Sequence, residues 1–164
     1  GEKAALYTAL IANELADGEA GAFPVWGDPA LYDSTLRILD AIRGTVAFET
    51  VVIPGISAAQ ALAAAHRIPL NRIGEPVHLT TGRKLREAGG MSEDSVVFLD
   101  SGETLATLPG EGLEIWWGAY LGTPDEVLVA GPLADVRDRI LRVRAERRAA
   151  KGWIMDIYLL RRAG

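Results

Sequence analysis

The pattern of apolar positions changes character near residue 70. Before it, apolar residues recur mostly at helical spacing. After it, they gather in short β-branched and aromatic runs. Residues 3–15 (KAALYTALIANEL) repeat apolar positions three and four apart, which predicts a helix stopped by Asp17-Gly18. GAFPVW (21–26) predicts a short strand leading into Gly27-Asp28-Pro29. Asp33 or Ser34 is placed to cap a helix reaching about Arg43. VAFETVVI (46–53) predicts a strand ending at Pro54-Gly55, and Ser57 a cap for an Ala-rich helix over 58–66. VHLTTG (77–82), SVVFLDSG (95–102), LEIWWGAY (113–120), DEVLVAGPL (125–133) and GWIMDIYLLRR (152–162) predict five further strands. A short helix near 103–108 and a long one over 134–150 separate them. The fold class is α/β, with 1–68 and 77–164 as two portions joined by a linker at 69–76. Two strands cannot make a sheet covered on both faces. The first portion is therefore expected to be the latter part of an α/β domain, in a chain that also lacks a starting Met.

Composition narrows the chemistry. The chain of 164 residues is long enough to bury a core, and 49% apolar with 24% charged residues argues against disorder. Cysteine is absent, which excludes disulfides, thiolate metal sites and a Cys nucleophile, and two His make a His-rich metal site improbable. A reducing cytosol is the expected setting, although the absence of cysteine fits other compartments as well. No apolar run is long enough for a membrane-spanning helix, and no signal peptide is evident. Net charge is −5, yet residues 134–164 hold nine Lys/Arg against four Asp/Glu. That basic tail suits a polyanion. The alternative, that Arg137, Arg139, Arg142, Arg144, Arg147 and Arg148 form the solvated face of one helix, is preferred because no aromatics interleave with the charge. No nucleic-acid partner is expected.

Three turns share one design, an apolar strand ending in small residues: Val25-Trp26-Gly27-Asp28-Pro29, Ile53-Pro54-Gly55-Ile56-Ser57 and Leu121-Gly122-Thr123-Pro124. Open α/β sheets bind ligands at the carboxyl ends of their strands, where glycine lets backbone approach a ligand. Asp28 could accept from a ligand hydroxyl or amine and Ser57 could donate. The bland alternative has Ser57 capping its helix and Asp28 satisfying its own loop amides. Asp100 follows a buried-looking strand, where a carboxylate is costly unless paired, so it is a candidate for a ligand contact or an Arg partner. Trp116-Trp117 puts aromatics on both faces of one strand, to line a flat cavity or to fill the core. His78 is expected to be a satisfied core residue, and His66 sits favourably at a helix C-terminus. Arg83 and Lys84, after Thr80-Thr81-Gly82, suit substrate carboxylates or a solvated loop equally. No GxGxxG, Walker A or GxSxG run is present.

These motifs, in this order, resemble the tetrapyrrole methylases, through WGDPALYDSTL, VIPGISAAQALAA, HRIPLNRIGEP, HLTTGR, GAYLGTPDE, LVAGPL and KGWIMDIYLL. The resemblance covers essentially the whole chain. It implies two α/β domains with a cofactor cleft between them, the first incomplete here: the family's opening strand, GxGxGD-type loop and two further strands precede the GDP motif. It implies S-adenosylmethionine as methyl donor and S-adenosylhomocysteine as product. The cofactor would lie against Trp26, Gly27, Asp28 and Leu31, Ser57 and Ala58, Leu99 and Asp100, and Leu121 and Gly122. Arg83, Lys84 and Tyr120 would meet a tetrapyrrole substrate. RIPLNRIGEPVHLTTGR, WWGAYLGTPDE and GWIMDIYLLRR resemble the branch of aerobic cobalamin synthesis that methylates precorrin-5 with loss of acetate. A methylase of another precorrin and a non-catalytic binding fragment are the alternatives. The resemblance further implies a homodimer, and it names no general base and no metal.

Overall fold

The computed structural model describes residues 1–163. By internal contacts the chain divides into two units, Gly1–Ser57 and Ala58–Gly164. The division falls ahead of the 69–76 loop, because the Ala-rich helix packs on the sheet of the second unit.

The first unit contains two helices, α1 (Glu2–Glu14) and α2 (Thr35–Ile42). They pack through Ile11, Leu39 and Ile42, with Tyr7 stacked on Phe23 at a ring separation of 4.4 Å. Ser34 takes the N-cap position of α2, while the Asp33 carboxylate accepts the Thr35 amide at 2.6 Å. The strands predicted at 21–26 and 46–53 do not form. A strand exists only through a ladder partner, and no described residue pairs with either segment. Val51 and Ile53 consequently stand 86% and 80% exposed.

The second unit is built on one five-stranded sheet. Its elements in chain order are α3 (Ala58–His66), β1 (His78–Thr81), α4 (Gly82–Glu87), β2 (Ser95–Phe98), α5 (Glu103–Thr107), β3 (Leu113–Ala119), β4 (Val127–Pro132), α6 (Leu133–Lys151) and β5 (Asp156–Arg162). The spatial order is β1-β2-β5-β3-β4. β1 and β2 are parallel, and β5 runs antiparallel to both β2 and β3. β1, β2 and β3 therefore point the same way and end at one edge of the sheet. Period-two alternation splits the side chains between two faces. Val97, Ile115, Trp117, Tyr158 and Leu160 meet Leu85 of α4, Leu105 of α5 and Leu133 and Ile140 of α6. Val96, Phe98, Ile157 and Leu159 meet Ala59 and Leu62 of α3.

Three expectations change and one open choice is settled. His78 is exposed, because β1 lies at the edge of the sheet. α4, a short helix without apolar periodicity, was not foreseen; the Thr81 hydroxyl caps it by accepting the Lys84 amide. Trp117 is fully buried and fills the core, one of the two roles expected for this pair, while Trp116 on the other face lies 5.2 Å beneath the Arg161 guanidinium. The arginines of α6 are not all solvated: Arg137 and Arg144, seven residues apart, turn inward. A left-handed Gly152 (φ +76°) ends α6 and donates its amide to Arg148.

Candidate cofactor site

In the first unit, the GDP turn and the PG turn are bonded to each other. Asp28 Oδ1 accepts the amide of Ala30 at 2.8 Å, and its Oδ2 accepts the amide of Gly55, also at 2.8 Å. The Gly55 amide, then that of Ala30, holds the Asp28 carboxyl below the usual carboxylate range. Gly27 adopts φ +75°, and a Cβ at Gly55 would stand 2.1 Å from the Gly27 carbonyl oxygen. Only glycine fits there. Trp26 beside the turn is 71% exposed, Leu31 is half-buried with its amide on the Asp28 carbonyl, and Ser57 is buried. Asp28 thus satisfies loop amides, the blander of its two expected roles. The structure brings Trp26, Gly27, Asp28, Leu31 and the 53–57 turn together.

In the second unit, the remaining candidates gather at the sheet edge where β1, β2 and β3 end. Leu99 follows β2 with φ +50° and an exposed side chain, and Tyr120 follows β3 with φ +52°. The Asp100 carboxylate turns inward. It accepts the amides of Thr104 and Leu105 at 3.3 and 3.1 Å and the Tyr158 hydroxyl at 2.9 Å. A Cβ at Gly82 would lie 2.6 Å from Asp100 Oδ1. Burial, then the Asp100 carboxylate, pushes the Tyr158 phenol far up, so it is a neutral donor at any ordinary pH. The Asp100 carbonyl accepts from Arg144 at 2.9 Å. Asp100 is therefore partnered, as its position demands, with two amides and a tyrosine on the carboxylate and the arginine on the main chain.

Tyr120 is buried. Its hydroxyl donates to the Trp153 carbonyl at 2.6 Å, its ring meets Trp153 edge-on, and its amide donates to Met155. The Leu121–Gly122 loop leaves from it, with the Gly122 amide on Glu126 at 2.8 Å. Ala58 opens α3, and Leu121 packs in the cluster beneath that helix. Arg83 and Lys84 are exposed on α4 and both pair with Glu87, at 4.0 and 2.7 Å. Exposed pairs of this kind are worth little and yield readily to another anion.

Four further residues hold this edge: Arg144, expected on a solvated helix face, Trp117, expected in a cavity wall or the core, and Asp156 and Tyr158, which the sequence reading does not single out. Asp156 Oδ2 accepts from Arg144 Nε at 3.0 Å and from the Trp117 indole at 2.9 Å. Burial raises the Asp156 carboxyl despite the opposing pull of Arg144. The same argument that singled out Asp100, a carboxylate bounding an apolar strand, applies to Asp156 in WIMDIYLL. Among the described residues no three His, Asp or Glu side chains form a metal-ligating group, and no helix is long and apolar enough to cross a membrane.

The Gly27 and Gly55 turns of the first unit, locked by Asp28, and the Leu99–Asp100 turn that follows β2 in the second are α/β features that offer a ligand main chain and small residues. A match to the Tetrapyrrole (Corrin/Porphyrin) Methylases runs over residues 2–137, and the chain belongs to that family. A precorrin-6A synthase [deacetylating] from Sinorhizobium sp is 54% identical over 162 residues, 97% of this chain and 62% of that protein. The chain thus spans less than two thirds of the relative's length. The crystal structure of a cobalamin synthesis related protein (CobF) from Corynebacterium diphtheriae superposes with a TM-score of 0.92 at 42% identity, over 99% of this chain and 70% of that one. Uroporphyrin-III-C-methyltransferase from Thermus thermophilus shares the fold at a TM-score of 0.66 and 20% identity, over 98% of this chain and 67% of that one.

Proposed function

We propose that this chain is part of an S-adenosylmethionine-dependent C-methyltransferase of aerobic cobalamin synthesis, which methylates precorrin-5 and, with one water consumed, releases its acetyl group as acetate to give precorrin-6A and S-adenosylhomocysteine. The observation that carries the reading is the 54% identity to a precorrin-6A synthase across nearly the whole chain. Family membership supports the donor.

The residues at hand suit such a donor. The Gly27 and Gly55 turns present bare main chain, with Trp26 exposed beside them. S-adenosylmethionine supplies an electrophilic methyl group when bound. In the first unit Trp26, Gly27, Asp28, Leu31 and Ser57 are the residues proposed to meet it, and in the second unit Ala58, Leu99, Asp100, Leu121 and Gly122 are. The role of Asp28 is to lock the two turns. Its oxygens already accept amides, so it orients the site and moves no proton. Asp100 is likewise committed, and it fixes the turn that carries Leu99. The methyl acceptor is an electron-rich carbon of the reduced macrocycle. No side-chain nucleophile is required, and positioning carries the catalysis. Arg83 and Lys84 would exchange Glu87 for substrate carboxylates. Tyr120 holds the Leu121–Gly122 loop from within the core. A homodimer in the cytosol completes the reading.

The test is to incubate the full-length gene product with precorrin-5 and S-adenosylmethionine and to follow the macrocycle by mass spectrometry. A product that has gained one methyl and lost one acetyl group is expected. Methylation of a different precorrin, with precorrin-5 untouched, overturns the assignment.

A further inference from the structure

Leu99 is a non-glycine residue held at φ +50°. Left-handed backbone is disfavoured for such a residue and persists where its surroundings over-determine it. The surroundings here are unusually complete. Asp100, next in the chain, is gripped from three elements: by α5 through the Thr104 and Leu105 amides, by β5 through the Tyr158 hydroxyl, and by α6 through Arg144 on its carbonyl. Arg144 is itself fixed by Asp156, which the Trp117 indole also holds.

We infer that Arg144 and Tyr158 are positioning residues that, by holding Asp100, keep Leu99 left-handed, so that the exposed Leu99 side chain and its main chain meet the adenosyl ligand. The inference rests on the reading that this turn contacts S-adenosylmethionine. A comparison within the same helix separates positioning from mere stability. Arg137 also sends its guanidinium from α6 to a main-chain carbonyl, that of Leu108. Leu108 has φ −60°, so its turn carries no left-handed strain.

The experiment uses the full-length protein and its Arg144→Lys, Tyr158→Phe and Arg137→Lys variants. Affinity for S-adenosylhomocysteine is measured by calorimetry at a temperature where circular dichroism shows each folded. Arg144→Lys and Tyr158→Phe are expected to weaken binding by about three- to ten-fold, the worth of one hydrogen bond. KM for S-adenosylmethionine should rise in parallel with kcat little changed. Arg137→Lys should bind as the wild type does. If Arg144→Lys fails to fold, Tyr158→Phe decides alone. Unchanged affinity in the folded variants, or an equal loss in Arg137→Lys, overturns the inference while the proposed function stands. A wild-type protein that binds no S-adenosylhomocysteine overturns the proposed function, and this inference with it.

Discussion

The carboxylate of Asp28 accepts the amide of Gly55, 27 residues away, and so ties two glycine turns into one structure. The bond demands a glycine, because any Cβ at position 55 would collide with the Gly27 carbonyl. Gly55→Ala must part the turns. It is expected to reduce S-adenosylhomocysteine affinity by at least about ten-fold if the joined turns form the site, each tenfold being about 1.4 kcal/mol. Calorimetry on the full-length protein checks it. Unaltered affinity would remove the joined turns from the site.

The same bond gives a pH dependence. Amide donation depresses the Asp28 carboxyl in the folded chain. Its contribution is present above the ordinary aspartate value, about 4, and fades as pH falls below it through the depressed value. S-adenosylhomocysteine affinity should therefore hold from neutrality to about pH 4 and decline only below it, as pH falls through the depressed value. In Asp28→Asn, which keeps one acceptor oxygen, this acid limb should disappear and affinity at neutral pH should be lower. Titrations at several pH values read both effects.

Arg144 and Asp156 form a nearly buried ion pair, with side chains 12% and 6% exposed. Removing one partner strands the other, at a typical cost of about 3–5 kcal/mol. Arg144→Met should lose stability of that order in urea unfolding at pH 7. The deficit should shrink as pH falls toward about 4. Burial already raises the Asp156 carboxyl, and removing Arg144 takes away a charge that opposes the rise. The folded variant then holds a proton that the unfolded chain releases, so its stability is greatest at low pH and is lost as pH climbs through the raised value. A deficit independent of pH would contradict this account of the pair.

A Cβ at Gly82 would stand 2.6 Å from the Asp100 carboxylate and 2.8 Å from the Thr104 hydroxyl. Gly82→Ala would push a methyl into both. The expected destabilisation is about 1–3 kcal/mol, as for other overpacked sites. Chemical denaturation checks it, and a neutral result would show that the Asp100 turn can retreat without cost.

Much of the second unit was legible in the sequence because its strands are short β-branched runs bounded by glycine, and five of five sit where those runs fall. The failures have physical causes. Residues 21–26 and 46–53 carry strand-like composition, but pairing is a property of two segments and no described residue supplies the second. α4 is too short to show a helical period. Arg137 and Arg144 looked like surface charge because arginine usually is. What turns them inward is a carbonyl and a buried aspartate contributed by distant segments. The turn residues themselves were visible, yet the role of Asp28 as a lock between turns emerges only when Gly55 is seen opposite it.

The most direct test counts products. Full-length protein, precorrin-5 and S-adenosylmethionine are combined, and acetate and S-adenosylhomocysteine are quantified together. The predicted result is one acetate for each S-adenosylhomocysteine formed. Methyl transfer without acetate, or no transfer at all by the folded protein, would contradict it.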